Sequence, residues 1–265
     1  MIDIHTHILP GLDDGARSMD IALHMADIAV KSGTEILLAT PHVISGVFDN
    51  DKERIVNACN EFNRELENHN LTLQVLPGAE YYLEPDLPER LARKELLTLN
   101  NGRYLLLELP GSTIPQYTAE LLYNLQIQGT EPIIAHPERN MELMDAPYKL
   151  EELVGHGALT QVTAGSLTGL FGGKVKRVAF SFIENGLIHF LASDAHTNNR
   201  RTPALDAAAR IIEEKYGQEF AVAMVNSNPR ALLEDREVSR LPAVKTSWLN
   251  KILAKIKSHH ATINR

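Results

Sequence analysis

The sequence predicts an α/β protein folded as a closed or nearly closed parallel barrel, and three observations carry that reading. Between Ile2 and about His196, short apolar runs alternate with segments of helical periodicity, the pattern of repeated βα units. The runs are nearly continuous in apolar residues and turn polar only at their C-terminal ends, as strands buried on both faces of a parallel sheet do. Six of the seven polar ends carry histidine or a carboxylate. A barrel gathers its chemistry at all its strand ends, whereas an open doubly wound sheet gathers it near one switch point.

The first run, Met1-Ile2-Asp3-Ile4-His5-Thr6-His7, passes directly into the polar turn 8–15. His5 and His7 are two residues apart, so on a strand both imidazoles point the same way. Ser18 then suits an N-cap for a helix with apolar positions Ile21, Ala22, Met25, Ile28 and Ala29, and Gly33 follows its end. The second run, 35–42, ends on His42. The helix after it aligns Ile55, Cys59, Phe62 and Leu66, which makes Cys59 a core residue. The third run, 71–80, closes in Pro77-Gly78-Ala79-Glu80, and a short helical piece at 87–97 leads to the fourth, 104–110, which carries Glu108. A helix at 117–128, closed by Gly129, precedes the fifth, 132–139, with His136 and Arg139. The sixth, 159–163, ends in Ala164-Gly165-Ser166 without a ligand, and the seventh, 187–196, supplies Asp194 and His196. Segments 43–50, 81–88 and 166–173 follow strand ends and should line the mouth of the barrel; Leu170 and Phe171 suit contact with a substrate side chain or, as is commoner, simple cover for the barrel end, and the second use is favoured.

Bulk properties agree. A chain of 265 residues with 44% hydrophobic content suits one barrel of roughly 250 residues. The net charge of −8 argues against nucleic acid as the partner. The single cysteine permits a reducing cytosol, charged residues occupy the place of a signal h-region, and no stretch has the length of a membrane span. A cytoplasmic protein is therefore expected. Residues 1–242 form the predicted barrel. Residues 243–265 change character: they carry Lys245, Lys251, Lys255, Lys257 and Arg265 without an acidic residue, and Trp248, Leu249, Ile252, Leu253 and Ile256 share a helical face. Such a basic amphipathic tail suits an anionic membrane surface or a partner, or packing against the barrel.

The candidate ligands are His5, His7, His42, Glu80, Glu108, His136, Asp194 and His196. Imidazoles mixed with carboxylates and no thiolate suit Mn²⁺, Fe²⁺ or Zn²⁺ rather than a structural zinc knot. Eight ligands exceed the needs of one ion, so two or three ions are expected, with one or both glutamates bridging. His24, His69, His156, His189, His259 and His260 lie off this pattern.

The segments Asp3-Ile4-His5-Thr6-His7, Thr40-Pro41-His42, Pro77-Gly78-Ala79-Glu80, Ala135-His136-Pro137-Glu138-Arg139 and Ser193-Asp194-Ala195-His196 resemble the polymerase and histidinol phosphatase (PHP) metal hydrolases. The Leu9–Gly15 turn and the His-Pro-Glu-Arg tetrad are similar to the bacterial manganese-dependent protein-tyrosine phosphatases encoded with capsule and exopolysaccharide genes, a likeness that extends to about residue 235. The resemblance implies a distorted (β/α)7, TIM-barrel-like fold and a trinuclear site at the ligands above. It also implies a cytoplasmic enzyme whose partner is a membrane-associated tyrosine kinase, which suits a peripheral place at the inner face of the membrane.

Clustered cations lower the pKa of a bridging water, giving a hydroxide nucleophile near neutral pH, and stabilise charge on the phosphoryl oxygens. Arg139 and Arg201, beside ligand segments, offer planar forks for phosphate, as similar arginines do in that family; surface salt bridges are the other use of such residues, and Arg200 competes with Arg201. Asp14 suits a ligand, an orienting group or a proton donor, unless Asp13-Asp14-Gly15 is only a turn. A Cys-x5-Arg nucleophile is absent, since Arg64 follows Cys59 by five positions instead of six. Glu108 stands where an amidohydrolase usually has lysine. A small-molecule phosphatase of histidinol-phosphate type and a non-catalytic metal-binding regulatory module stay open beside the tyrosine phosphatase.

Overall fold

The structure, a computed structural model, describes residues 1–244. The expected tail falls almost wholly outside the described residues. Nine β segments occur in chain order: β1 Ile2–Thr6, β2 Ile36–Ala39, β3 His42–Val43, β4 Gln74–Pro77, β5 Glu80–Tyr82, β6 Tyr104–Glu108, β7 Glu131–Ala135, β8 Leu159–Thr163 and β9 Phe190–Ala192. These are the seven predicted strands, two of them broken. The second run breaks at Thr40-Pro41 and the third at Gly78-Ala79, so β2 and β4 pair in one sheet (β1-β2-β4) while β3 and β5 pair in the other (β3-β5-β6-β7-β8-β9). Every pairing between named strands is parallel.

The seventh strand returns to the first. Thr6 bridges Ala195, the Asp194 amide donates to His5 O at 2.9 Å, and the His7 amide donates to Ala195 O at 2.8 Å. The sheets thus make a distorted barrel of seven strands around a buried lining that includes Ile2, Ile4, Leu38, Tyr104, Leu106, Ile133, Phe190 and Ala192.

Helices cover the outside. Helix α1, Met19–Lys31, starts where expected: the Ser18 side chain accepts from the Ile21 amide, and Gly33 closes its end at φ +86°. Helix α2, Lys52–Asn68, is capped by Asp51 and buries Ile55, Cys59, Phe62 and Leu66. Helices α3 (Leu87–Ala92) and α4 (Thr118–Gln126) are shorter than their sequence patterns. After His136 come α5 (Met141–Asp145) and α6 (Tyr148–Gly155). The segment after β8 differs from expectation: Ala164–Thr168 is a one-turn helix, α7, before α8 at Gly173–Glu184. Helices α9 (Asp206–Tyr216), α10 (Gln218–Val222) and α11 (Asn228–Leu233) complete the described chain, with a π-helical turn at Ala223–Ser227. No helix among the described residues is long and apolar enough to cross a membrane.

Candidate metal centre

Strand breaks and left-handed backbone aim the ligands inward. The two-residue β3 follows the Thr40-Pro41 break and starts on His42; β5 follows the Gly78-Ala79 break and starts on Glu80, directly opposite His42 in register. His136 immediately follows β7 at φ +33°, and Asp194 lies just beyond β9 at φ +50°. Non-glycine residues enter this region at a cost that functional sites commonly carry.

All eight predicted ligands converge. Glu80 is the centre: its Oε2 lies 3.2 Å from His5 Nε2, 3.3 Å from His7 Nε2 and 3.0 Å from His42 Nδ1, while its Oε1 lies 3.1 Å from His136 Nε2. Glu108 stands beside it, 3.7 Å from His42 Nδ1 and 3.8 Å from His136 Nε2. Asp194 Oδ1 faces His5, His7 and His196 at 3.4–3.6 Å. Asp14, 57% exposed at its side chain, presents Oδ1 to His196 Nε2 at 3.3 Å and to His42 Nε2 at 3.7 Å. Three overlapping sets of donors are each tight enough to hold an ion: His5, His7 and Glu80; His42, Glu80 and Glu108; and His7, Asp14, His42 and His196. His136 and Asp194 fall in none of these sets and stand beside them, His136 at Glu80 and Asp194 at His5, His7 and His196.

Two residues that the sequence reading passed over settle the tautomers. Asp13 Oδ2 accepts from His7 Nδ1 at 2.6 Å and from the His42 amide at 2.9 Å, while its Oδ1 accepts from the Gly15 amide. Gln161, on the strand without a ligand, lays its amide oxygen 3.0 Å from His5 Nδ1. With both Nδ1 atoms donating, neutral His5 and His7 have bare lone pairs at Nε2, and these face each other at 3.1 Å. His42 Nδ1 and Glu80 Oε2 are buried and, though adjacent, make no hydrogen bond of proper geometry. Lone pairs pointing at lone pairs are unfavourable alone and are what a cation requires, so the donor set fits divalent metal.

The charge balance fits it too. Burial, then the adjacent Glu80, pushes the Glu108 carboxyl up to about 7. Burial, then the charge of Arg139, pushes His136 down to about 4, leaving it neutral and free to ligate. Burial disfavours the His7 imidazolium, but the carboxylates around it, Asp13 first, more than offset this and raise its pKa well above the ordinary value, so a cation that binds at Nε2 has to displace the proton these carboxylates otherwise hold on the ring. Asp14 is held below the usual carboxylate range by its hydrogen bond to His196.

Both predicted arginines reach the centre by way of Asp194. Arg139 Nη1 and Arg201 Nη2 donate to the same Asp194 Oδ2, the second at 2.7 Å. Their side chains are about a quarter exposed, and the buried Arg201 Nε has no acceptor. Arg200 is exposed and bonds through its backbone to Thr197. Cys59 is buried in α2 away from this cluster, its thiol pushed up to about 11 by burial and donating to Val75 O.

Comparison with known proteins agrees with this geometry. The chain is 40% identical over 242 residues to tyrosine-protein phosphatase YwqE of Bacillus subtilis, covering 91% of this chain and 95% of that one. It is 32% identical over 244 residues to tyrosine-protein phosphatase CpsB of Streptococcus pneumoniae, covering 89% and 99%. The crystal structure of YwqE, described with CpsB as a unique metal-dependent tyrosine phosphatase, superimposes with a TM-score of 0.88 over 91% of this chain and 98% of that chain, at 40% identity. Dihydropyrimidinase from Brevibacillus agri, at 11% identity, covers 91% of this chain and 73% of its own with a TM-score of 0.52, a likeness of barrel fold alone. The family model for capsular polysaccharide synthesis, CpsB/CapC, matches residues 1–234, from the His5/His7 strand through the whole barrel, and the chain belongs to that family.

Proposed function

We propose that this chain is a metal-dependent protein-tyrosine phosphatase, acting on a membrane-associated bacterial tyrosine kinase that controls capsule or exopolysaccharide synthesis. The observation that carries the reading is the meeting, at Asp194, of a multinuclear ligand cluster with two guanidinium groups. A phosphate monoester dianion needs both kinds of positive charge.

Divalent cations, Mn²⁺ first and Fe²⁺ or Zn²⁺ as substitutes, would be held by His5, His7, His42, Glu80, Glu108, His136, Asp194 and His196, and would supply Lewis acidity and an activated water. Glu80, with both oxygens among imidazoles, is placed to bridge. Asp13 and Gln161 keep Nε2 of His7 and His5 free to ligate. Asp14 acts as a further ligand, since its oxygen lies between His42 and His196 and its low pKa is opposite to what a proton donor needs. Arg139 and Arg201 grip the phosphoryl oxygens, using N–H groups that Asp194 leaves free. A phenol has a pKa of about 10, so a tyrosyl ester leaves with less acid assistance than a seryl ester, in keeping with the lack of an assigned proton donor.

The single cysteine suits a reducing compartment, and we place the enzyme in the cytoplasm near the inner membrane face. Residues 243–265 would make the membrane contact; deleting them should abolish binding to vesicles containing anionic lipid, and unchanged binding would retire that role.

Turnover of a phosphotyrosine peptide, a phosphoserine peptide and histidinol phosphate, with Mn²⁺ and then with chelator, tests the whole reading. The expected result is chelator-sensitive hydrolysis of the phosphotyrosine peptide above the other two. Preference for histidinol phosphate would make the enzyme a small-molecule phosphatase, and no turnover would leave a regulatory module.

A further inference from the structure

We propose that Phe171 is a positioning residue that holds the Arg139 and Arg201 guanidinium planes for phosphate; this rests on the reading of those arginines as phosphoryl ligands. The Phe171 ring is met by both: Arg139 Cζ lies 4.8 Å from its centroid and Arg201 Cζ lies 5.9 Å from it. Sequence alone suggested a residue that merely covers the barrel end.

The local chain is built to hold the ring there. Leu170-Phe171 lies between Gly169 at φ +94° and Gly172 at φ +91°, left-handed positions that cap α7 and open α8. The Leu170 amide donates to Gly165 O at 2.8 Å, folding the loop back over α7. A Cβ on Gly165 would stand 3.0 Å from Phe171 Cε2 and 3.1 Å from Leu170 Cδ2, so the ring rests over a bare Cα. Phe171 is thus wedged between Gly165 and the two cations.

An aromatic face is suited to this task. A carboxylate holding an arginine consumes N–H donors and neutralises its charge, as Asp194 does once for each here. A ring attracts the cation by its quadrupole and fixes the guanidinium plane while leaving every N–H edge available. The two long side chains, whose rotamer freedom opposes order, are then set before substrate arrives.

Inorganic phosphate, which carries no aromatic ring, is the probe. With the Mn²⁺-loaded enzyme, Phe171→Leu should raise the inhibition constant for inorganic phosphate and the KM for a phosphotyrosine peptide by a common factor of about five to ten. Metal content should stay at the wild-type level and kcat should change less than KM. Phe171→Tyr should restore the phosphate constant to within about twofold, since it keeps the face. Gly165→Ala, which displaces the ring without altering it, should move both constants in the same direction as Phe171→Leu. A raised KM with an unchanged phosphate constant would mean that the ring touches the substrate phenol, and would overturn the proposal; so would wild-type behaviour of Phe171→Leu. Arg139→Gln in the same assay reads the arginines separately. An unchanged phosphate constant there overturns the arginine reading and with it the role of Phe171, whereas a raised one, together with an unchanged constant in Phe171→Leu, removes Phe171 alone.

Discussion

Single side chains divide here into those that ligate, those that orient ligands and those that only pack. On the proposed reading His136 and Asp194 belong to the first group, so His136→Ala or Asp194→Ala should lower both bound metal and phosphatase activity to background; a metal-free variant with full turnover would remove the site. Asp13 orients. Its two oxygens accept from His7 Nδ1 and the amides of His42 and Gly15, and asparagine must turn an NH₂ toward one of those donors. Asp13→Asn should therefore weaken metal binding about 10- to 100-fold, read by competition with a chelating dye. Wild-type affinity would show that the His7 tautomer needs no such support. Cys59 packs. Its thiol is buried and faces Val75 O, so Cys59→Ser should keep full kcat with a modest loss of stability, whereas an inactive but folded variant would contradict a mechanism without a cysteine nucleophile.

At the scale of elements, the turn after β1 packs its backbone tightly against the strand it leaves. A Cβ on Gly15 would lie 2.1 Å from His7 O and 2.5 Å from His7 Cβ, and the Ala16 amide donates to that same carbonyl. Gly15→Ala must push the turn away from the strand that carries the histidines, so it should cost about 1–3 kcal/mol or more and reduce metal content together. Gly11→Ala, at φ +68° but in open space, should cost only about 1 kcal/mol and spare the metal; equal effects of the two on melting and metal content would refute the close-approach account. The same turn shows what sequence conveys. Apolar periodicity and strand ends that carry histidine or carboxylate are local patterns, so the strands and the eight side chains that meet at one end of the barrel were readable. Asp13 and Asp14 are adjacent and chemically identical, and only the geometry of the turn decides which one faces His7 and which His196. Gln161 was beyond reach because its partner, His5, is 156 residues away. The breaks at Thr40-Pro41 and Gly78-Ala79 were hidden inside continuous runs, and α7, one turn containing Gly165 and Thr168, has too little periodicity to announce itself.

For the whole molecule, among the described residues, the barrel separates a charged end that carries the candidate metal ligands from an opposite end where residues 228–240 pack. There Tyr104 donates its hydroxyl to Arg236 O, and Asn228 donates to His189 O at 2.9 Å and Ser239 O at 3.0 Å. His189, just before β9, is fully buried and accepts from the Thr160 amide at Nδ1, so its proton resides on Nε2. Burial, and then the charge of Arg240, push its pKa down to about 4 from an ordinary 6.5. The unfolded chain therefore takes up a proton at this side chain before the folded chain does. Stability from His189 is complete above about pH 6.5 and declines as pH falls toward 4, where the full shift corresponds to about 3 kcal/mol at roughly 1.4 kcal/mol per unit. Groups at the metal end titrate in the same range, so the wild-type profile alone does not isolate this residue. His189→Asn does: its Oδ1 can accept from Thr160 in place of Nδ1, and it does not ionise. Melting curves from pH 7.5 to 4 should show the variant losing less stability than the wild type over that interval, with the difference opening between pH 6.5 and 4. Parallel profiles would mean that the buried imidazole is protonated as readily in the fold as outside it.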